Sequence, residues 1–410
     1  MIIIPKTYIK TLQNRDFFVL CLVTIIGQIA SAFLLISLIV SVYLKTGSNF
    51  GVSGVVISSV APGFFLMAIA GLCADLFDRK KIIVVANTFL ALVGFLIISS
   101  LDKIFFSISL SFLYFAINSF FMTAANGASG QLVKRRNILA SNSIFVFCIA
   151  GGQIFGLMLA AIVHFFFGNL VTVFIFEILL CAAALLSLLL PKMLPRIRKD
   201  ISIFGEIVQI WKALGYIFGR KKTWAFFFML AFAQAVISFG VTLAPGFFRD
   251  ILAIGVEKAL ILIFPLVGFG SVFGAIFVQS PKVREGYFLS IGLGAIGIPG
   301  LIIGILISTG LGFGAFLIFL VSLYIVLLGF GTIASIIAAR TVLQKLIAHN
   351  YLGSVLGANT ILTAFFAGFL SPFGAGFVAL FGYEMVLILG GLVFSLGSFV
   401  LLFASNKWKF

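Results

Sequence analysis

The chain has 410 residues, 62% of them hydrophobic and 9% charged, with 51 phenylalanines and a formal net charge of +16. Soluble domains carry about 45–50% apolar and about 25% charged residues, so a water-soluble globular fold is excluded: no core could enclose this much apolar side chain. A membrane β-barrel is excluded as well, because its strands would alternate in segments of about ten residues, whereas these runs are continuous and near the roughly 20 residues a bilayer-crossing helix needs.

Hydrophobic runs predict twelve spans, at about 17–44, 51–73, 82–101, 104–128, 139–166, 169–190, 224–248, 259–280, 286–308, 311–338, 355–381 and 384–404. The first run is too long for a signal-peptide core and lacks a small-residue cleavage site, so it reads as span 1. Four cysteines, Cys21, Cys73, Cys148 and Cys181, sit in apolar segments without metal-ligand spacing and read as small buried hydrophobes. An even number of spans puts both termini on one side. Of the 27 basic residues, only Lys45, Lys103, Arg249 and Lys258 then fall in the opposite loops, leaving 23 on the side of the termini. Lys and Arg resist translocation, so that side is expected to be cytoplasmic and the location the cell's inner (plasma) membrane. The net charge therefore expresses topology and needs no nucleic-acid partner.

The composition changes between Pro191 and Thr223, where prolines, basic residues and an amphipathic middle mark a cytoplasmic linker. The expected domains are an N-terminal six-helix bundle (1–190), the linker (191–223) and a C-terminal six-helix bundle (224–410). The halves echo one another: Gln28 and Gln234 lie 206 residues apart, Pro62 and Pro265 203, Gln131 and Gln344 213, and the Phe-Gly pairs at Phe167 and Phe381 214. Four echoes in order at a slowly drifting offset argue for a duplicated unit. The predicted fold class is an all-α polytopic membrane protein of 12 transmembrane helices in two pseudo-symmetric six-helix bundles, an architecture that suits rocking about a midplane site.

Between spans 2 and 3 stands "GLCADLFDRKK", Gly71 to Lys81. A tight basic turn explains its cations but not its carboxylates. Gly71 leaves room for another helix. Asp75 is one turn further on the same face, placed to accept hydrogen bonds from a neighbouring helix N-terminus, and Arg79 is one turn beyond it. Such a cluster would latch one bundle to the other on the cytoplasmic side.

This stretch resembles the signature loop of the major facilitator superfamily. Gly71, Asp75, Arg79, Lys80 and Lys81 match it in place; Leu76 replaces an expected basic residue and Asp78 an expected glycine. The aspartate-for-glycine form, with "GQIASAF" and "KTGSN" in and after span 1, is similar to the drug/proton antiporter branch containing the macrolide efflux proteins and the enterobactin exporter. The corresponding loop of the second half, from Gly274, keeps the glycine and has Val278 where the aspartate would stand.

An ionisable residue inside a span marks a functional site by default, and Glu177 lies about midway along span 6. It must face the cavity, pair or carry a proton. The macrolide-efflux branch often has an acid in this part of the helix, so the resemblance implies a proton-coupling role. Gln28 and Gln234 occupy equivalent places in spans 1 and 7, which line the cavity in this superfamily. They, with Asn118, Asn126, Gln153 and Asn359, are candidates for substrate contact or for helix–helix hydrogen bonds. Gly152 and Gly156 in span 5 form a small-residue face.

No Walker-type loop, metal-ligand cluster or nucleophile–base pair is present, so an enzyme, a cofactor and a metal are not expected. The sequence points to a proton-coupled exporter of lipophilic or amphipathic small molecules working by alternating access as a monomer, with the lipid bilayer, substrate and protons as its partners. A siderophore exporter and a lysophospholipid flippase are its alternatives within the superfamily. A non-transporting membrane sensor or scaffold is the alternative outside it.

Overall fold

A computed structural model of the protein describes residues 6–134, 137–194, 215, 217, 219, 221–278, 285–310, 314–347 and 352–407. The helices are α1 (Lys6–Leu12), α2 (Arg15–Thr46), α3 (Asn49–Leu76), α4 (Arg79–Ser99), α5 (Ile104–Gln131), α6 (Ile138–Ser187), α7 (Lys221–Asp250), α8 (Val256–Phe277), α9 (Glu285–Ser308), α10 (Gly314–Leu346) and α11 (Leu352–Lys407). No strand occurs among the described residues. Ten of these helices are long and apolar enough to cross a bilayer. In hydrocarbon a backbone satisfies itself most cheaply as helix, which is why Pro62, Pro245, Pro265, Pro299 and Pro372 are all accommodated inside helices.

Ten long helices make twelve spans because α6 and α11 each turn back at a glycine: Gly168 (φ 78°, ψ −179°) and Gly382 (φ 80°, ψ 168°). A residue with a side chain rarely adopts a positive φ of this kind, so the repeated Phe-Gly pair is the tight turn of each half. The fold is thus all-α, with twelve membrane spans. One difference concerns span 10, where nothing interrupts the helix at 338. It runs on to Leu346, and Arg340 lies exposed inside it. The linker's predicted amphipathic segment, along with Arg135, Arg136, Lys282 and Arg284, falls outside the described residues.

The chain forms two compact units. One comprises Met1–Val42 and Ser58–Ile207; the other comprises Tyr43–Ile57 and Val208–Phe410. In the first, α4 packs on α5 and α6, around a core that includes Leu20, Val23, Ile83, Phe121, Phe145 and Met193. In the second, α10 packs on α8 and α9, while α11 packs on α9 and α7.

The helices of the second unit are drawn together by small residues, as expected where lipid removes the hydrophobic drive for helix association. Ser290 and Ser398 each donate to the other's carbonyl at 2.7 Å, stapling α9 to α11. Between α8 and α10 the backbones touch: a Cβ on Gly270 would meet the Val326 carbonyl, and one on Gly329 would meet the Val267 carbonyl. Gly329→Val should therefore destabilise by about 1–3 kcal/mol, the usual cost of overpacking. Gly240→Val is the control, since a Cβ there meets nothing within 4 Å. Melting of the purified protein in detergent should show a clear fall for the first and little change for the second.

Candidate functional site

In the first unit the intramembrane acid is seated between two helices. Glu177 lies in the second arm of α6, and its Oε2 packs against Gly94 of α4, where a Cβ would occupy the same space; a Cβ at Gly94 would also crowd Leu180 and Phe176. Its Oε1 accepts a long bond from Cys181 Sγ (3.6 Å), one turn along the same helix. Its Oε2 is buried and has no hydrogen-bond partner. An isolated carboxylate in such surroundings is costly, whereas a neutral carboxyl is tolerated. Among the acidic residues of the described part of the chain, Glu177 is the one placed deep within a span. Nearby, Tyr114 is fully buried, lies 5.7 Å from the Phe176 ring and bonds to Ser31 of α2 at 3.0 Å.

The loop between α3 and α4 organises a second cluster in the same unit. Arg79 Nη2 donates to Asp75 Oδ1 at 3.3 Å, with 18% of the arginine and 44% of the aspartate side chain exposed. The rest of the guanidinium closes helix ends, donating to Ala74 O (3.1 Å), Gly127 O (2.7 Å) and Gln131 Oε1 (3.2 Å). Ala74 O is one of the last four carbonyls of α3, which lack intrahelical partners, and Gly127 and Gln131 stand at the C-terminal end of α5, where a cation is favoured. Gly127 is required for this: a Cβ there would lie 2.7 Å from the guanidinium carbon. Gly71 and Lys80 are half-buried. Asp78 is the N-cap of α4, accepting the Lys80 N–H at 2.9 Å, which gives the residue in the expected glycine's place a structural task.

The predicted polar residues divide by unit. Gln28 is buried and donates to Met122 Sδ at 3.2 Å, while a Cβ added at Gly152 would lie 3.0 Å from the Gln28 Cβ, so the small-residue face of span 5 is what α2 packs on. Asn126 is exposed and donates to Met122 O at 2.9 Å; Asn118 and Gln153 are half-buried. In the second unit Gln234 donates to Asn359 Oδ1 at 3.2 Å and Asn359 to Phe227 O at 2.8 Å. Residues 125 apart in sequence thus join α7 to α11.

One polar site went unforeseen. In the second unit, Asn49 donates to Tyr383 Oη at 2.7 Å, and Tyr383 reaches Asp250 Oδ2 at 3.5 Å. Arg249 lies over the Tyr43 ring, 5.9 Å from its centroid. Tyr43, Asn49, Asp250 and Tyr383 border a cleft of about 410 Å³ whose lining also includes Ser48 and Glu384. Each stands at a span end or inter-span turn, where polar residues are routine. The only available signal was that acids are scarce in this chain, and Asp250 and Glu384 are two of them.

Comparison with known proteins bears on what these clusters serve. The family model of the Major Facilitator Superfamily matches residues 18–372. No curated protein matches the sequence. Among solved structures, the POT family transporter PepTSo superposes with a TM-score of 0.73 at 11% identity, covering 96% of this chain and 98% of that one. A point mutant of the nucleoside transporter NupG gives 0.73 at 16% identity, with 96% and 100% covered. A D-xylose-proton symporter gives 0.70 at 16%, with 94% and 97% covered. At such identities the likeness speaks for the fold alone, and the family model, spanning most of the sequence, speaks for descent. The chain belongs to the Major Facilitator Superfamily of membrane transporters.

Proposed function

We propose that the protein is a secondary active transporter that exports lipophilic or amphipathic small molecules from the cytoplasm in exchange for protons. On this reading it works as a monomer in the plasma (inner) membrane, with both termini cytoplasmic, by alternating access. The observation that carries the proton is Glu177: an intramembrane carboxyl with one buried oxygen that bonds to nothing. A group of this kind is stable while it holds a proton and unstable once it loses it, unless another partner arrives. A transport cycle driven by protons needs such a group. One structural neighbour is, by its own description, a proton symporter, so the fold is compatible with proton coupling.

The lipophilic substrate class rests on what the polar side chains already do. Gln28, Gln234 and Asn359 direct hydrogen bonds within their own units. A sugar, nucleoside or peptide needs many donors and acceptors to replace its water. An amphipathic molecule asks for mainly apolar contact with a few polar groups, which suits a chain this rich in phenylalanine. The signature loop supports alternating access, with Asp75 as the latch and Arg79 holding it.

The test is efflux of preloaded lipophilic fluorescent dyes from cells lacking their own pumps, with and without a protonophore. Export that stops when the proton gradient collapses is the expected result. Export that continues refutes proton antiport. If no dye moves, a labelled lysophospholipid or an iron-chelating siderophore becomes the substrate to load, and absence of flux for every class favours a sensor or scaffold.

A further inference from the structure

From its geometry we infer that Asp78, where the superfamily loop has glycine, anchors the beginning of the linker that joins the two halves. Its Oδ1 accepts two backbone N–H groups, that of Lys80 at 2.9 Å and that of Met193 at 3.0 Å. The first caps α4. The second captures the chain just after span 6, where Pro191 opens the linker.

Met193 is held on its other side too. Its carbonyl accepts the Arg79 N–H at 3.2 Å, so both backbone polar groups of one linker residue are bound by two consecutive loop residues. The Met193 side chain is 2% exposed and sits in the core with Ile83, Ala128 and Leu190. The next residue is fixed by a third element: Gln131 of α5 donates from Nε2 to Leu194 O at 2.8 Å, while its Oε1 receives Arg79 Nη1 at 3.2 Å. Loop, linker start and α5 therefore share one hydrogen-bond network, and its guanidinium is the group that holds Asp75.

The chemistry explains why glycine would not serve. A carboxylate oxygen can take two N–H donors at once, and charge-assisted bonds are about twice as strong as neutral ones. Glycine offers no side-chain acceptor, so the Met193 N–H would lose its partner. Asp78 is thus a positioning residue acting through Met193: it keeps the linker's first residues on the loop, so that a pull on the linker reaches Arg79 and Asp75. This holds whatever the substrate and whatever drives transport.

The test is trypsin cleavage at the linker's basic residues in the intact transporter, in inside-out vesicles, followed beside the protein's melting temperature. Asp78→Ser separates the two tasks, because serine is a good N-cap but too short to span both donors. The expected result is near wild-type melting with cleavage on the order of tenfold faster, the factor that losing one such bond represents. Asp78→Asn, which keeps a double acceptor, should restore most of the protection. Wild-type protection in Asp78→Ser, or protection in Asp78→Asn no better than in Asp78→Ser, would overturn the anchor and leave Asp78 a helix cap only.

Discussion

Glu177→Gln should abolish proton-driven export while leaving a folded transporter that still exchanges substrate for substrate. Glutamine has nearly the shape of glutamic acid and keeps an oxygen for Cys181 to reach, so the seat against Gly94 stays filled. What it cannot do is give up and retake a proton. If the carboxyl couples the cycle, uphill efflux should fall at least tenfold, on the order of 1.4 kcal/mol or more. Counterflow, which needs no net proton movement, should persist within about twofold. The paired measurement is uncoupler-sensitive efflux against counterflow in proteoliposomes at matched protein content. Gly94→Ala approaches the same group from the other side: its Cβ claims the space of Oε2, so the carboxyl must move. Loss of coupling in both variants places the proton at this seam. Full uphill transport by Glu177→Gln would make Glu177 a packing residue and send the search for the coupling group elsewhere.

The sequence made the membrane class and the twelve spans legible for a plain reason: lipid leaves a polypeptide few choices, and a continuous apolar run of sufficient length is nearly always a helix. The Phe-Gly pairs could be seen as a repeat, but their meaning, a positive-φ turn at Gly168 and Gly382, is a matter of backbone geometry that composition does not carry. Glu177 was conspicuous because charge is rare inside spans; its neighbour Gly94 was not, because glycine is common throughout this chain, with 42 copies. Gln234 and Asn359 were each visible as polar residues in apolar helices, whereas their pairing depends on how α7 meets α11. The Asn49–Tyr383 bond joins residues 334 apart and has no local signature. Asp78 looked like a deviation from a motif until its second donor, a backbone N–H far along the chain, gave it a partner. Local chemistry was readable wherever one residue type was scarce, and long-range pairing was not readable at all.

Arg79→Ala should be the most damaging single change on the loop, costing both stability and transport. The guanidinium makes four bonds with two different consequences. Those to Ala74 O and Gly127 O hold the C-terminal ends of α3 and α5, and losing a charged partner at a part-buried carbonyl costs roughly 1.5–3 kcal/mol. The one to Asp75 is exposed enough to contribute little to stability, but it fixes where the carboxylate points. Arg79→Ala should therefore lower the melting temperature by several degrees and reduce transport by more than tenfold. Arg79→Lys tells the two roles apart. Lysine is a single-centred cation that cannot reach carbonyls and carboxylate together as the planar fork does, so it should recover only part of the stability. Asp75→Asn removes the charge and leaves the carbonyl bonds alone, so its melting should match wild type while transport still falls. Impaired transport without instability in Asp75→Asn, beside both defects in Arg79→Ala, is the pattern required if the aspartate is a latch and the arginine its mount. Wild-type transport by Asp75→Asn would reduce the loop to a helix-closing device.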